Sequence, residues 1–506
     1  MSWKRTSALL CALAVMALPL PVAAQDDTLP FEVYANEHAG LMAEVPAGWL
    51  QTSGGLFIWD SAQADVVVLE VTLLPPVPLE DQLDVYAGLY GLDAFPAPAS
   101  VHETEYLTWD LYAFEGTDAF GNAISADVAL AETKAGTLWV SLIASPDVYD
   151  DLHDTVFVRV MESVRPLPDE MHASVPYEQE IVSFPSSDGV VLTGTLTLPP
   201  SEGPHPAVVL VSGSGAQDRD ENMQPLAAIK PFALIADHLT RAGVAVLRYD
   251  DRGVGQSWGD HNAATTADFA DDAEAAVDYL RARDDIDPAQ VGLLGHSEGG
   301  IVAPMVAARS PHVAFVIAMA PPSVSGKEVL LLQNQLVLRA GGLPEMMIDA
   351  RVDFVRQAFD YVIAGDSAEL EAHIRADIEA SAGGLSDDYK QQLVAQQMAG
   401  LDIPWMRYFL AYDPAPDWAQ TTVPVLAVYG GLDLQVDAEQ NIGPLRDALD
   451  AAGNMDVTVI TLDGANHLFQ PAITGSPDEF GRLEQTFVPE FLPTITEWLL
   501  ARVDVR

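Results

Sequence analysis

The stretch Val291-Gly292-Leu293-Leu294-Gly295-His296-Ser297-Glu298-Gly299-Gly300 decides how the rest of the chain is read. Its first half is a buried apolar strand by composition, and a helix opens directly after Gly299. Gly295 and Gly299 flank Ser297 in a G-x-S-x-G pattern. That spacing forces a serine into a sharp strand-to-helix turn, with its hydroxyl standing clear of the sheet. A side chain at either glycine would collide across so tight a bend. Taken alone, the same residues also describe a glycine-rich loop that happens to contain serine. The surroundings decide between the two.

Outward from this stretch the chain alternates. Apolar strands at 207–211, 244–247, 291–294, 313–318, 425–429 and 457–461 are separated by helical stretches. This rhythm predicts a mostly parallel sheet wrapped by helices. Strands at 178–184 and 190–198 lead in and give the sheet an antiparallel start. The helix at 266–283 carries Phe269, Ala273, Ala276, Val277 and Leu280 on one face. Helical segments at 330–339, 346–363, 368–381 and 387–398 break the rhythm. A structureless loop of that length is implausible in a compact domain, so a helical cap is expected at about 323–420.

A serine alcohol is a weak nucleophile and needs a base, which needs a third group to orient it. On such a sheet the partners follow in the order serine, acid, histidine, at the carboxyl ends of strands. His312, His373 and His467 follow Ser297. His312 immediately precedes a strand, which is the wrong end, and His373 falls on a cap helix. His467, in Asp463-Gly464-Ala465-Asn466-His467, leaves the last strand at the right end and is the expected base. Asp433, just beyond the strand at 425–429, is the expected acid. Asp437 is the alternative, but it reads better as the start of the next helix. Two backbone N–H groups are expected to hold the oxyanion: that of Glu298, and that of Ser214 in the turn Ser212-Gly213-Ser214-Gly215.

Three segments carry a resemblance. Ser212-Gly213-Ser214-Gly215-Ala216-Gln217-Asp218-Arg219-Asp220-Glu221, Tyr249-Asp250-Asp251-Arg252-Gly253-Val254-Gly255-Gln256-Ser257 and Gly295-His296-Ser297-Glu298-Gly299-Gly300 resemble exported bacterial serine esterases of the α/β-hydrolase fold. These are related to serine aminopeptidases and prolyl oligopeptidases. Asn466-His467-Leu468-Phe469-Gln470, followed by Thr474-Gly475, is similar as well. The resemblance implies an α/β-hydrolase domain at 175–506, with an eight-stranded-type sheet under a helical cap. It also implies a carboxylesterase with Ser297, Asp433 and His467 as its triad, a small-molecule ester as substrate with small acyl groups favoured, and no cofactor or metal. Relatives elsewhere in the fold carry His-Gly where this chain has Ser212-Gly213, a departure that bears on the second oxyanion donor. The Asp250-Asp251-Arg252 group reads as structural, its arginine tied to carboxylates. Two rivals stand beside this reading: a peptidase or amidase in which Glu369 or Glu371 holds a substrate amine, and a binding protein on a hydrolase scaffold.

The remaining sequence sets the context. The 506 residues suggest more than one domain. Residues 25–168 read as a separate small α+β domain, with strands at 56–59, 66–74, 106–114, 124–130 and 138–144 and helices at 79–92 and 147–164. It shows no catalytic grouping; His38, His102 and His153 read as solvated or packed. Residues 1–24 read as a cleavable signal peptide. Lys4 and Arg5 precede an apolar run from Ala8 to Leu20, then Val22-Ala23-Ala24. An uncleaved anchor is the alternative. Export to the periplasm or medium is therefore expected, with no stable membrane insertion. The lone Cys11 lies in this leader, so disulfides and thiolate chemistry are not expected in the mature protein. A formal net charge of −50 repels nucleic acid and anionic surfaces. No stretch specifies an oligomeric state.

Overall fold

The computed structural model describes residues 29–36, 41–51, 55–60, 66–74, 78–117, 122–133, 136–167, 175–223, 227–381 and 386–505. The leader with Cys11, and His38, lie outside these residues.

The N-terminal unit is built on a seven-stranded antiparallel sheet. Its order is Leu50–Gln51, Leu56–Asp60, Val66–Leu73, Gly136–Ala144, Ala123–Thr133, Thr108–Thr117 and Ser100–Glu103. One face packs the helical run from Pro146 to Ser163, interrupted by a π-helical turn at His153–Val158, around Trp109, Val140 and Phe157. The other face gathers Tyr112, Val128 and Trp139 with Tyr86 of the helix Leu79–Leu89. All five strands and both helices expected from sequence are present. The Phe31–Asn36 and Leu41–Pro46 strands of a second, three-stranded sheet were not anticipated, nor was Ser100–Glu103. Ser100–Glu103 is an edge strand with three of its four residues exposed, so it lacks the alternation that marks a half-buried strand.

The second unit holds an eight-stranded sheet. Its order is Glu178–Pro185, Val191–Leu198, Ala245–Tyr249, His205–Val211, Ile286–His296, Val316–Met319, Val425–Gly430 and Val457–Leu462. From Ala245–Tyr249 onward every pairing is parallel. Val191–Leu198 runs against both its neighbours. The antiparallel start expected from the two lead-in strands is present, with the second of them running against the rest of the sheet. Every residue of His205–Val211 is buried because helices cover both faces. Gly292 lies flat under the Phe315 ring, where a Cβ would come within 2.3 Å. The helix Thr266–Arg281 starts at a capping box between Thr265 and Asp268 and buries Ala270, Ala273, Ala276, Val277 and Leu280.

Between Val316–Met319 and Val425–Gly430 the chain forms the cap: Gly326–Ala340, Glu345–Ala364, Ser367–Ser381, Asp387–Leu401, Pro404–Ala411 and Ala415–Trp418. The four expected helices are there. Pro404–Ala411 and Ala415–Trp418 were missed, because eight and four residues give too few turns for a periodic signal. Trp405 of Pro404–Ala411 reaches Glu298, next to Ser297.

Candidate active site

The carboxyl ends of the parallel strands bring the predicted residues to one edge of the sheet. Ile286–His296 runs directly into Ser297, whose φ is +52°, and the helix Gly299–Arg309 follows. A non-glycine residue in this left-handed region costs about 1–3 kcal/mol and persists only where its surroundings impose it. Here the imposition is steric. A Cβ on Gly295 would come 1.9 Å from the Gly299 carbonyl oxygen, and one on Gly299 would come 2.1 Å from that of Val211. The Ser297 N–H donates to the Met319 carbonyl at 2.8 Å. Every neighbour from Val291 to Gly300 is buried, while Ser297 keeps partial exposure.

Asp433 and His467 meet as expected: Asp433 Oδ2 lies 2.7 Å from His467 Nδ1, and both side chains are buried. The other carboxylate oxygen accepts the N–H groups of Gln435 and Val436 at 2.7 and 2.9 Å, which fixes its orientation. Asp437 instead caps Ala438–Ala451 by accepting the Gln440 N–H at 2.8 Å. The His467 loop is held by buried Asn466, whose Oδ1 accepts from Leu468 and Gln470 N–H at 3.0 and 2.9 Å. Gly430 lets that loop close onto the neighbouring strand, since a Cβ there would sit 2.6 Å from two of its carbonyl oxygens. His312 pairs with Asp278 at 2.8 Å on the surface. His373 stacks on Phe354 and approaches its carbonyl at 3.0 Å. His102 faces Glu162 and His153 faces Asp127, both within the N-terminal unit.

The Ser212–Gly215 turn stands opposite the serine: a Cβ on Gly213 would come 3.2 Å from Ser297 Cβ. The Gly213 N–H is taken by Glu221 Oε1 at 2.9 Å, and that of Gln217 by Asp251 Oδ2 at 3.0 Å. Among the described residues, the N–H groups of Ser214 and Glu298 have no acceptor within the chain. Asp251 also accepts the Ser212 hydroxyl at 2.6 Å, and burial pushes its carboxyl well above the usual carboxylate range. Asp250 is clamped by buried Arg219, Nε to Oδ1 at 3.0 Å and Nη2 to Oδ2 at 2.5 Å. Arg252 bonds Asp272 at 2.6 Å and Asp188 at 2.9 Å. The Asp250-Asp251-Arg252 group is therefore a brace for this turn.

Sequence reasoning missed two side chains. The Glu298 carboxyl is buried, and its Oε1 accepts from Thr266 Oγ1 at 2.6 Å and from Trp405 Nε1 at 2.8 Å. Burial pushes this carboxyl up, opposed by its hydrogen-bond donors. Its partner comes from the unanticipated cap helix, so local sequence held no signal for it. The other is Glu221, within the first quoted segment, whose Oε1 lies 2.7 Å from Nδ1 of His296. A carboxylate in one segment and a histidine beside the serine in another were the available signal. Glu369 and Glu371, the candidate amine-holding residues, are exposed on Ser367–Ser381, with Glu371 paired to Arg375 at 2.5 Å. Among the described residues no group of three or more His, Cys, Asp or Glu could hold a metal ion, and no helix is long and apolar enough to cross a membrane.

A single reversed second strand, a serine turn between sheet and helix, an Asp–His pair at the last two strand ends and a helical cap give the second unit the α/β-hydrolase fold. Residues 228–470 match the family described as serine aminopeptidase, S33. Esterase EstD of Thermotoga maritima is 28% identical over 289 residues, which is 56% of this chain and 60% of that protein. Thiohydrolase apmlB of Arthrinium phaeospermum is 32% identical over 150 residues, 29% of this chain and 44% of its own. The chain thus spans less than two thirds of the length of these curated relatives. Among solved structures, the Pyrococcus furiosus esterase PF2001 aligns with a TM-score of 0.41 at 15% identity, covering 65% of this chain and 92% of that one.

Proposed function

We propose that the protein is a carboxylesterase working through an acyl-enzyme on Ser297. The observation that carries this is the buried Asp433–His467 pair, 2.7 Å apart, at the strand ends that also carry Ser297 on its strained turn. Ser297 Oγ attacks the ester carbonyl while His467 Nε2 takes its proton. Asp433 holds the Nδ1–H tautomer and stabilises the imidazolium that forms. The N–H groups of Glu298 and Ser214 receive the developing oxyanion. His467 then protonates the leaving alcohol, and a water molecule repeats the sequence to release the acid. The cap limits the acyl group to a small one, and the strongly negative protein field disfavours anionic esters. Function at the far side of a membrane, in the periplasm or medium, is part of the same proposal and rests on the leader at 1–24; N-terminal sequencing of the mature protein starting at Gln25 is its test.

The wild type should hydrolyse p-nitrophenyl butyrate and take up a fluorophosphonate probe, and Ser297→Ala should do neither. No labelling of the wild type sinks the enzyme reading and leaves the binding-protein alternative. Amide cleavage is the second reading, favoured by the match to the serine aminopeptidase family. The pairing of Glu371 with Arg375 occupies one of the two carboxylates that reading had on the cap, which ranks it second. A preference for aminoacyl arylamides over the butyrate ester would reverse that order.

A further inference from the structure

A second carboxylate–imidazole pair lies beside the first, and the mechanism above leaves it unused. Glu221 follows the His205–Val211 strand, with φ at +54° and 1% exposure. Its Oε1 serves two partners, the Gly213 N–H at 2.9 Å and His296 Nδ1 at 2.7 Å. His296 Nε2 lies 3.0 Å from the main-chain carbonyl of His467. A carbonyl oxygen only accepts, so Nε2 carries a proton. With Oε1 already accepting from Gly213, a proton on Nδ1 completes a charged ring donating at both ends. Burial opposes charge on His296; the Glu221 carboxylate, the His467 carbonyl and Asp433 outweigh it and hold the ring above the ordinary histidine value. The groups facing this ring are Glu221 on one side, Asp433 and His467 from the two last strand ends on the other, and the Phe469 ring at 6.4 Å. The His467 ring itself stands 4.8 Å away.

We propose that Glu221 and His296 are positioning residues for this reaction. As a buried carboxylate–imidazolium pair they tie the Ser212–Gly213 peptide, one unit before the Ser214 N–H, to the main chain of His467, so that the turn carrying the oxyanion donor and the loop carrying the base are placed by one connection. The proposal rests on the esterase reading of the site. It goes beyond that reading in assigning work to a pair that touches no reacting atom. Gly213 suits the connection, because a Cβ there would press on both sides of it, 3.2 Å from Ser297 Cβ and 3.3 Å from Glu221 Oε1.

The test is Glu221→Gln in the full chain. An amide has no charge to hold the imidazolium, so His296 gives up a proton and one of the three linked bonds is lost. The kcat for p-nitrophenyl butyrate should fall by about 10–100-fold, the scale of a misplacement near 1 Å, with KM little changed. The acid limb of the kcat/KM profile should move to higher pH, because removing a positive ring beside the base eases protonation of the base. Glu221→Asp keeps the charge and should hold that limb near its wild-type position while recovering part of kcat. Nitrogen-15 histidine NMR of the wild type should show His296 protonated on both nitrogens near neutral pH, a measurement that needs no variant to fold. A neutral His296 ring in the wild type, or an unchanged kcat and acid limb in Glu221→Gln, overturns the proposal. Fluorophosphonate labelling separates the two readings. If wild-type Ser297 labels and Glu221→Gln behaves as wild type, the positioning role alone is wrong. If the wild type does not label, the esterase reading falls and this proposal with it.

Discussion

Asp433–His467 and Glu221–His296 share a contact, a carboxylate oxygen 2.7 Å from Nδ1, in surroundings of nearly equal burial. They part at the other nitrogen. His296 Nε2 is held by the His467 carbonyl, whereas His467 Nε2 has no hydrogen-bond partner among the described residues. A base must have an open nitrogen to receive a proton, and a strut must not. Residue type and even carboxylate pairing are thus shared between a group fit for proton transfer and a group fit for holding geometry. The acceptor on the far side decides the role.

The largest test of this contrast is Ser297→Ala. Turnover should fall by about 10⁶-fold if Ser297, His467 and Asp433 act as a unit; steady-state hydrolysis measures it, and a loss of only tenfold would show that the open nitrogen faces no nucleophile. Asp433→Asn should lower kcat by about 10⁴-fold through the wrong tautomer of His467. That loss should far exceed the loss from Glu221→Gln, and equal losses in the two variants would erase the distinction between the pairs.

Two smaller effects use Glu298, a buried carboxyl with no imidazole at all. Trp405→Phe removes one of the two donors to Oε1 and should destabilise the fold by about 1–3 kcal/mol, measured by urea unfolding. Because the folded state raises the proton affinity of Glu298, its protonated form contributes stability that is present at low pH. That contribution declines as pH rises from the ordinary glutamate range towards the raised value. Glu298→Gln keeps an oxygen for Thr266 and Trp405 but cannot ionise, so the fall of Tm over that interval should shrink. An unchanged slope would mean that the carboxyl ionises freely in the folded protein.

Much of the candidate site's layout was legible in advance. Strand ends tell where a parallel sheet presents its loops, so Ser297, Asp433 and His467 were located by chain order and by apolar runs flanked with polar turns. Glycine spacing around Ser297 announced the bend, since only residues without side chains fit carbonyl approaches of about 2 Å. Even the choice of Asp433 over Asp437 followed from local chemistry, Asp437 being placed to cap a helix. The short cap helix Pro404–Ala411 and the exposed edge strand Ser100–Glu103 were illegible because neither is long enough or sided enough to leave a period.

Sequence by itself determined the fold class, the order of the strands' functional loops and the three residues around which the chemistry is proposed, because these depend on local periodicity and on short-range steric demands. Tertiary structure alone decided that Glu221 reaches His296 across 75 residues, that Trp405 reaches Glu298 across 107, and that His296 Nε2 is closed while His467 Nε2 is open. Hydrogen bonds between distant segments leave no periodic trace in a chain. They arise only when packing has brought the partners together and removed the water that would otherwise compete for them.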